Sequence, residues 1–259
     1  MLRVFPIPAF RDNYIWALTV LGSRFAAIVD PGDASPVIRE LDARGLEPSA
    51  ILVTHHHGDH VGGLPALARR YPGLPVFGPR NNKIQGITHP LVEGEEIAVP
   101  GVDASFRILE VPGHTLDHIA YYGHGMLFCG DTLFSVGCGR LFEGSAEQMH
   151  RSLERIAALP SETQVYCAHE YTLDNIGFAK WVEPDNVDLR EREAKAYALT
   201  DEDRPTVPST LGLELRTNPF LRSHVPGVVA AAERYLGRKL GKASEVFATI
   251  RRWKDEDYD

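Results

Sequence analysis

Cysteine is scarce in this chain, with three among 259 residues. Cys129, Cys138 and Cys167 are an odd number in no framework spacing, which excludes a disulfide scaffold. Long apolar runs are missing as well. No stretch approaches the ~20 residues of a membrane helix, and the opening Met1-Leu2-Arg3-Val4-Phe5-Pro6 lacks the long apolar core of a signal peptide. No membrane partner is expected, and the cytoplasm is the expected location. Basic residues are outnumbered, 27 Lys and Arg against 35 Asp and Glu, for a formal charge of −8. Nucleic-acid binders usually carry a basic face, so no nucleic-acid partner is expected. The Gly-x-Ser-x-Gly elbow of serine hydrolases is absent. No exposed apolar stripe is evident, and a monomer is the expected state. What remains is a globular composition, 44% hydrophobic and 24% charged, long enough for one large domain or a large and a small one.

Histidine is where the chain is rich. Residues 54–60 read Thr54-His55-His56-His57-Gly58-Asp59-His60. The β-branched run Ala50-Ile51-Leu52-Val53 before it reads as a buried strand, and Leu64-Pro65-Ala66-Leu67-Ala68-Arg69-Arg70 after it has helical spacing. Alternate positions of an extended segment point the same way, so His55 and His57 can grip one ion. Asp59 and His60, beyond Gly58, can face a second. Imidazole and carboxylate donors suit zinc, the expected ion, and also admit iron or manganese. Four ligands do not complete two sites. Three further apolar strands run into short polar loops: residues 106–111 into Pro112-Gly113-His114-Thr115, residues 126–129 into Gly130-Asp131-Thr132, and residues 164–168 into His169-Glu170-Tyr171. Each places one candidate ligand at the carboxyl end of a strand, where ligands gather in α/β folds. His114 can complete the first site and His169 the second, while Asp131 has two oxygens and can bridge both ions. His118 is expected to support the ligands through a hydrogen bond. His56, His89, His124, His150 and His224 are read as non-ligands. Cys129 and Cys167 are read as small buried hydrophobes, and no cysteine is assigned to a metal.

Up to about residue 170, short apolar strands alternate with loops and a few helices. Residues 4–7, 14–18, 26–29 and 75–77 read as strands, and Asp30-Pro31-Gly32 as a turn. Residues 36–44 read as a helix with Ser35 as N-cap. Residues 145–159 read as a helix with Ser145 as cap and Gln148 at the capping-box position. This alternation suggests an α/β fold of two sheets with helices outside. After Tyr171 the texture is helical, over residues 172–181, 188–199, 225–236 and 244–253, with a linker-like break at 205–208. The expected division is 1–170 as a catalytic domain and 171–259 as a helical, substrate-binding domain, with the acidic residues 255–259 frayed.

The string Thr54-His55-His56-His57-Gly58-Asp59-His60, followed by Gly113-His114-Thr115, Gly130-Asp131-Thr132 and His169, resembles the metallo-β-lactamase superfamily. Within it, the chain is most similar to glyoxalase II, the hydroxyacylglutathione hydrolases. That similarity rests on Asp12-Asn13-Tyr14, on Gly137-Cys138-Gly139-Arg140-Leu141-Phe142-Glu143-Gly144 and on Ala168-His169-Glu170-Tyr171-Thr172. Thr217-Asn218-Pro219-Phe220-Leu221-Arg222 and Arg251-Arg252-Trp253-Lys254 carry it to the end of the chain. The resemblance implies an αββα metallo-β-lactamase-like sandwich with a small C-terminal helical domain. It implies two divalent metal ions per chain and a small-molecule glutathione thioester as partner. The implied reaction is hydrolysis of S-(2-hydroxyacyl)glutathione, such as S-D-lactoylglutathione, to glutathione and a 2-hydroxy acid such as D-lactate. That is the second step of methylglyoxal detoxification.

The chemistry agrees with this. Two ions sharing a water lower its pKa towards neutrality, so no Ser or Cys nucleophile is required, and Asp59 and Asp131 flank that water. A thiol with a pKa near ~8.5 departs with little protonation. By resemblance, Arg140, Tyr171, Arg251 and Lys254 hold the glutathione moiety, whose carboxylates call for Arg and Lys. Phe142 stands where some relatives have Tyr, which removes a hydroxyl. Two alternatives stay open: another hydrolase of the same superfamily, such as a lactonase or another thioesterase, or a non-catalytic module binding glutathione conjugates.

Overall fold

A computed structural model of the chain describes residues 1–81 and 83–258. It contains two compact units, Met1–Glu110 with Asp117–Gly130, and Val111–Leu116 with Asp131–Asp259.

The first unit opens with an antiparallel hairpin, β1 (Leu2–Ala9) and β2 (Asn13–Val20), in register from Leu2↔Val20 to Ala9↔Asn13. β3 (Phe25–Val29) pairs antiparallel with β2. Helix α1 (Ala34–Arg44) then leads to β4 (Glu47–Leu52), which lies parallel to β3. The short α2 (Gly58–Val61) and α3 (Leu64–Arg70) precede β5 (Val76–Pro79) and β6 (His89–Leu91), which complete a six-stranded sheet in the order β1-β2-β3-β4-β5-β6. One face packs Ile15, Ala17, Ile28, Ile51 and Val53 against Val37 and Leu41 of α1 and Leu64 and Leu67 of α3. Leu18, Ala27 and Leu52 alternate to the other face and are equally buried. Burial on both faces is why these strands are near-continuous apolar runs. β7 (Glu96–Val99), β8 (Ala104–Glu110), β9 (Ile119–Gly123) and β10 (Met126–Gly130) form an antiparallel meander. From β9, the buried Tyr121 hydroxyl donates to the Val53 carbonyl at 2.8 Å and ties the meander to the first sheet. Burial raises that phenol well above its ordinary pKa.

The second unit holds a small hairpin, β11 (Leu133–Phe134) with β12 (Gly137–Cys138), then α4 (Ala146–Ala157) and β13 (Gln164–Cys167). The expected capping box of Ser145 and Gln148 opens α4. There follow α5 (Thr172–Val182), α6 (Val187–Asp201), β14 (Ser209–Thr210) antiparallel to β13, α7 (Leu211–Thr217), a 3₁₀ turn (Pro219–Leu221), α8 (Pro226–Leu236) and α9 (Ala243–Trp253). In its interior Phe178 stacks on Phe220, with ring centres 6.0 Å apart, and Phe220 meets Phe247 edge to face at 5.9 Å.

Two expectations change. α1 starts at Ala34, and its cap is the Asp33 carboxylate, which accepts from the Ser35 N–H at 2.8 Å; Ser35 lies inside the first turn. The acidic tail is not frayed through Tyr258, because residues Lys254–Tyr258 form a π-turn. Tyr258 donates to the Asp174 carbonyl at 2.9 Å and sets its ring against Trp181 at 4.9 Å, and this outweighs the repulsion among the tail's carboxylates. Asp259 lies outside the described residues. His89, read as a non-ligand, stands in β6. Among the described residues, no helix is long and apolar enough to cross a membrane.

Candidate metal centre

His55, His57, Asp59 and His60 come together in the first unit, on the loop that leaves β4 and becomes α2. The anchor of this loop is Asp30, at the end of β3. Its carboxylate accepts from the Thr54 N–H at 2.8 Å and from the Thr54 hydroxyl at 2.7 Å. With its proton committed to Asp30, Thr54 Oγ1 is left to accept from His55 Nδ1 at 3.0 Å. That fixes the tautomer and turns His55 Nε2, 3.1 Å from His57 Nδ1, into an atom that could hold a metal ion. Asp30 also receives His60 Nδ1 at 3.1 Å, which leaves His60 Nε2 facing Asp59 Oδ2 at 3.4 Å. Asn13 Nδ2 donates to the same Asp59 oxygen at 3.0 Å. Such carboxylate–imidazole partners orient ligands and raise their basicity.

His56 turns to the Asp117 carboxylate at 3.0 Å, as its alternation predicts. His118 stacks on His55, with ring centres 4.6 Å apart and planes 16° apart. A Cβ on Gly32 would lie 1.8 Å from the Asp59 carbonyl oxygen, so the turn after Asp30 must be bare to let the ligand loop approach. In the sequence Asp30 reads only as a turn residue. Its position at a strand end, the design that flagged His114, Asp131 and His169, was the available signal.

His114, Asp131 and His169 come together in the second unit, and all three are buried. His114 Nδ1 donates to the Arg140 carbonyl at 2.8 Å, which leaves Nε2 facing Asp131 Oδ2 at 3.4 Å. His169 Nε2 faces the same oxygen, also at 3.4 Å. One carboxylate oxygen thus lies 3.4 Å from each of two imidazole nitrogens. A Cβ on Gly139 would meet the Asp131 carbonyl oxygen at 2.0 Å and His114 Nδ1 at 3.0 Å, so the Gly-Cys-Gly segment closes directly over this set. Tyr171 stacks on His169 with ring centres 4.8 Å apart, and Phe142 sets an edge against His114 at 5.2 Å.

The donor separations within each set are 3.1–3.4 Å. Tetrahedral ligands at ~2.0–2.1 Å from one ion stand roughly 3.3 Å apart. Spacing, burial and tautomer therefore all fit metal ions, and the histidines and aspartates supply donors enough for two of them.

The predicted substrate-binding cations also lie in the second unit. Arg251 is 2% exposed. Its Nη1 donates to the Cys138 carbonyl at 3.0 Å and its Nη2 to Asp255 at 2.8 Å. Arg140 Nε stands 3.8 Å from the same Asp255 carboxylate, and buried Lys254 pairs with Asp174 at 3.1 Å. The three cations are interleaved with two carboxylates and do not form a bare positive patch. Burial pushes the Cys138 thiol up to about 11 and the Cys167 thiol up to about 12, so neither is a thiolate nucleophile at neutral pH.

Residues 11–169 match the family model described as metallo-beta-lactamase superfamily, and residues 170–256 match hydroxyacylglutathione hydrolase C-terminus. A protein from Nitrosomonas eutropha named hydroxyacylglutathione hydrolase is 51% identical over 98% of this chain and 99% of its own length. One of the same name from Alkalilimnicola ehrlichii is 52% identical over 99% of this chain and 100% of its own. Among solved structures, ETHE1 from Myxococcus xanthus aligns with a TM-score of 0.67 at 24% identity, over 97% of this chain and 90% of that one, a likeness of fold. TTHA1623 in a di-iron-bound form aligns with a TM-score of 0.60 at 28% identity, over 84% of this chain and 100% of that one.

Proposed function

Because the chain belongs to the hydroxyacylglutathione hydrolase family of the metallo-β-lactamase superfamily, we propose that its two ligand sets act together on one pair of divalent ions. The enzyme is a thioester hydrolase. It cleaves S-(2-hydroxyacyl)glutathione, such as S-D-lactoylglutathione, to glutathione and a 2-hydroxy acid, a step of methylglyoxal detoxification. The observation that carries the dinuclear reading is Asp131 Oδ2, held 3.4 Å from both His114 Nε2 and His169 Nε2. In this reading His55, His57 and His114 would hold one ion and Asp59, His60 and His169 the other, with Asp131 available to both. Zinc is the first candidate, then iron or manganese.

Bound ions supply Lewis acidity, acidifying water towards neutral pH and polarising a carbonyl. The side chains do the rest. Asn13 holds Asp59 in place, and Asp30 fixes the tautomer of His60. The thiol of glutathione leaves as thiolate, so no side chain has to protonate it. Residues 1–170 serve as the catalytic domain and residues 171–259 bind the glutathione moiety through Tyr171, Arg251 and Lys254, with Arg140 of the catalytic domain beside them. We place the enzyme in the cytoplasm as a monomer.

The test is loss of thioester absorbance with S-D-lactoylglutathione, measured as purified, after chelation, and after adding back zinc, iron or manganese. Turnover should fall to background on chelation and return with metal. Full turnover by protein shown to be metal-free would defeat this reading. A second expectation concerns Arg251→Ala. It should raise KM more than it lowers kcat, because it removes ground-state binding. It should also lower the melting temperature, because Arg251 holds the Cys138 carbonyl and Asp255. An unchanged KM would remove Arg251 from the substrate site.

A further inference from the structure

The ligand His114 is oriented by a carbonyl that the catalytic chemistry does not account for. That carbonyl belongs to Arg140, two residues beyond β12. The β11–β12 hairpin turns through two residues, Ser135 and Val136. Val136 is buried and has φ +59°, a region that suits glycine and is costly for a β-branched residue. Such a turn persists only where its surroundings over-determine it, and here they do. The Glu214 carboxylate, fully buried on α7, accepts from the Val136 N–H at 2.9 Å. Asn218 Nδ2 donates to the Gly137 carbonyl at 2.9 Å and to the Phe134 carbonyl at 3.2 Å. Arg192 of α6 donates to Ser135 Oγ at 2.9 Å, to Thr217 Oγ1 at 2.5 Å and to Glu214. Asn175 of α5 donates to the Ser135 carbonyl at 2.9 Å.

We propose that Arg192, Glu214 and Asn218 are positioning residues for the metal centre. Acting through the buried hairpin, they set the height of Gly139 and Arg140 over His114 and Asp131. The path is short and continuous. Asn218 grips Gly137, Arg251 grips Cys138, the Gly139 N–H reaches the Thr132 carbonyl at 3.4 Å, and the Arg140 carbonyl receives His114 Nδ1. A shift of this hairpin moves the acceptor that fixes the His114 tautomer. The helices after Tyr171 therefore orient a metal ligand in addition to any role in holding substrate. This rests on the reading of His114, Asp131 and His169 as metal ligands.

The experiment titrates apo protein with zinc against a competing chelator, and with cobalt followed by its visible absorption, at a temperature where circular dichroism is native. Asn218→Ala should bind the weaker of the two ions at least ~10-fold less tightly, the scale of lost outer partners, with altered cobalt bands. Glu214→Gln, which keeps the volume, should act in the same direction and serves if Asn218→Ala does not fold. Val37→Ala, in the fully buried core of the first unit, is the control: it should lower the melting temperature while leaving both affinities unchanged. Wild-type affinities and cobalt bands in Asn218→Ala or Glu214→Gln, or affinities lost equally in Val37→Ala, would overturn the proposal. A wild-type protein that takes up no ion would instead overturn the metal reading beneath it.

Discussion

Asp131→Ala should lower kcat for the glutathione thioester by at least ~10³-fold and reduce bound metal from two ions per chain to one or fewer. Each tenfold loss is about 1.4 kcal/mol of barrier, and Lewis-acid stabilisation is worth several kcal/mol, so about three decades is a lower bound. The effect exceeds that of losing one histidine because Asp131 is shared: its Oδ2 lies 3.4 Å from both His114 Nε2 and His169 Nε2. Asp131→Asn is the sharper variant. It keeps the volume and one oxygen but loses the charge that two cations require. Metal analysis beside steady-state kinetics reads the outcome. Two ions per chain with near-normal kcat in either variant would show that Asp131 does not bridge.

The largest effect on stability should come from Glu214→Ala. Glu214 and Arg192 are a buried ion pair, with side chains 0% and 5% exposed. Removing one partner strands the other charge in a dry interior, which costs roughly 3–5 kcal/mol. For a chain of this size that is a fall of roughly 6–20 °C in melting temperature. The surface pair Arg24–Glu47, at 3.6 Å with both side chains more than half exposed, should be worth almost nothing, and Glu47→Ala is the natural comparison. Replacing Arg192 and Glu214 together by apolar side chains should recover only part of the loss, because the Val136 N–H would still lack its acceptor. A Glu214→Ala melting temperature within a degree or two of wild type would contradict this account.

The candidate ligands are legible in the sequence because their signal is local. A strand that ends in a polar loop is visible within six or seven residues, and the two strand periods around His55 and His57 set which side chains share a face. Their supports were not legible, because those bonds span long sequence distances. Asp30 meets Thr54 and His60 across 24 and 30 residues, and Asn218 meets Gly137 across 81. Short strands such as β6 and β14 carry too few residues for a period to register. The tail misled because its charges are read before its single aromatic: four of its last five residues are acidic, yet Tyr258 packs on Trp181. Arg251 and Lys254 stand out in the sequence as cations three apart, but their carboxylate partners, Asp255 and Asp174, are found only in three dimensions.

Burial of the sulfurs has a consequence for an enzyme that generates a thiol at every turnover. Cys129, Cys138 and Cys167 are in no disulfide, and all three are buried. Burial raises the Cys138 and Cys167 thiols to about 11 and about 12, which disfavours the thiolate at neutral pH. Mixed disulfides form by thiolate attack and need access to the sulfur. The catalyst is therefore insulated from S-glutathionylation by its own product pool, and oxidative stress that raises glutathione disulfide should leave its capacity intact.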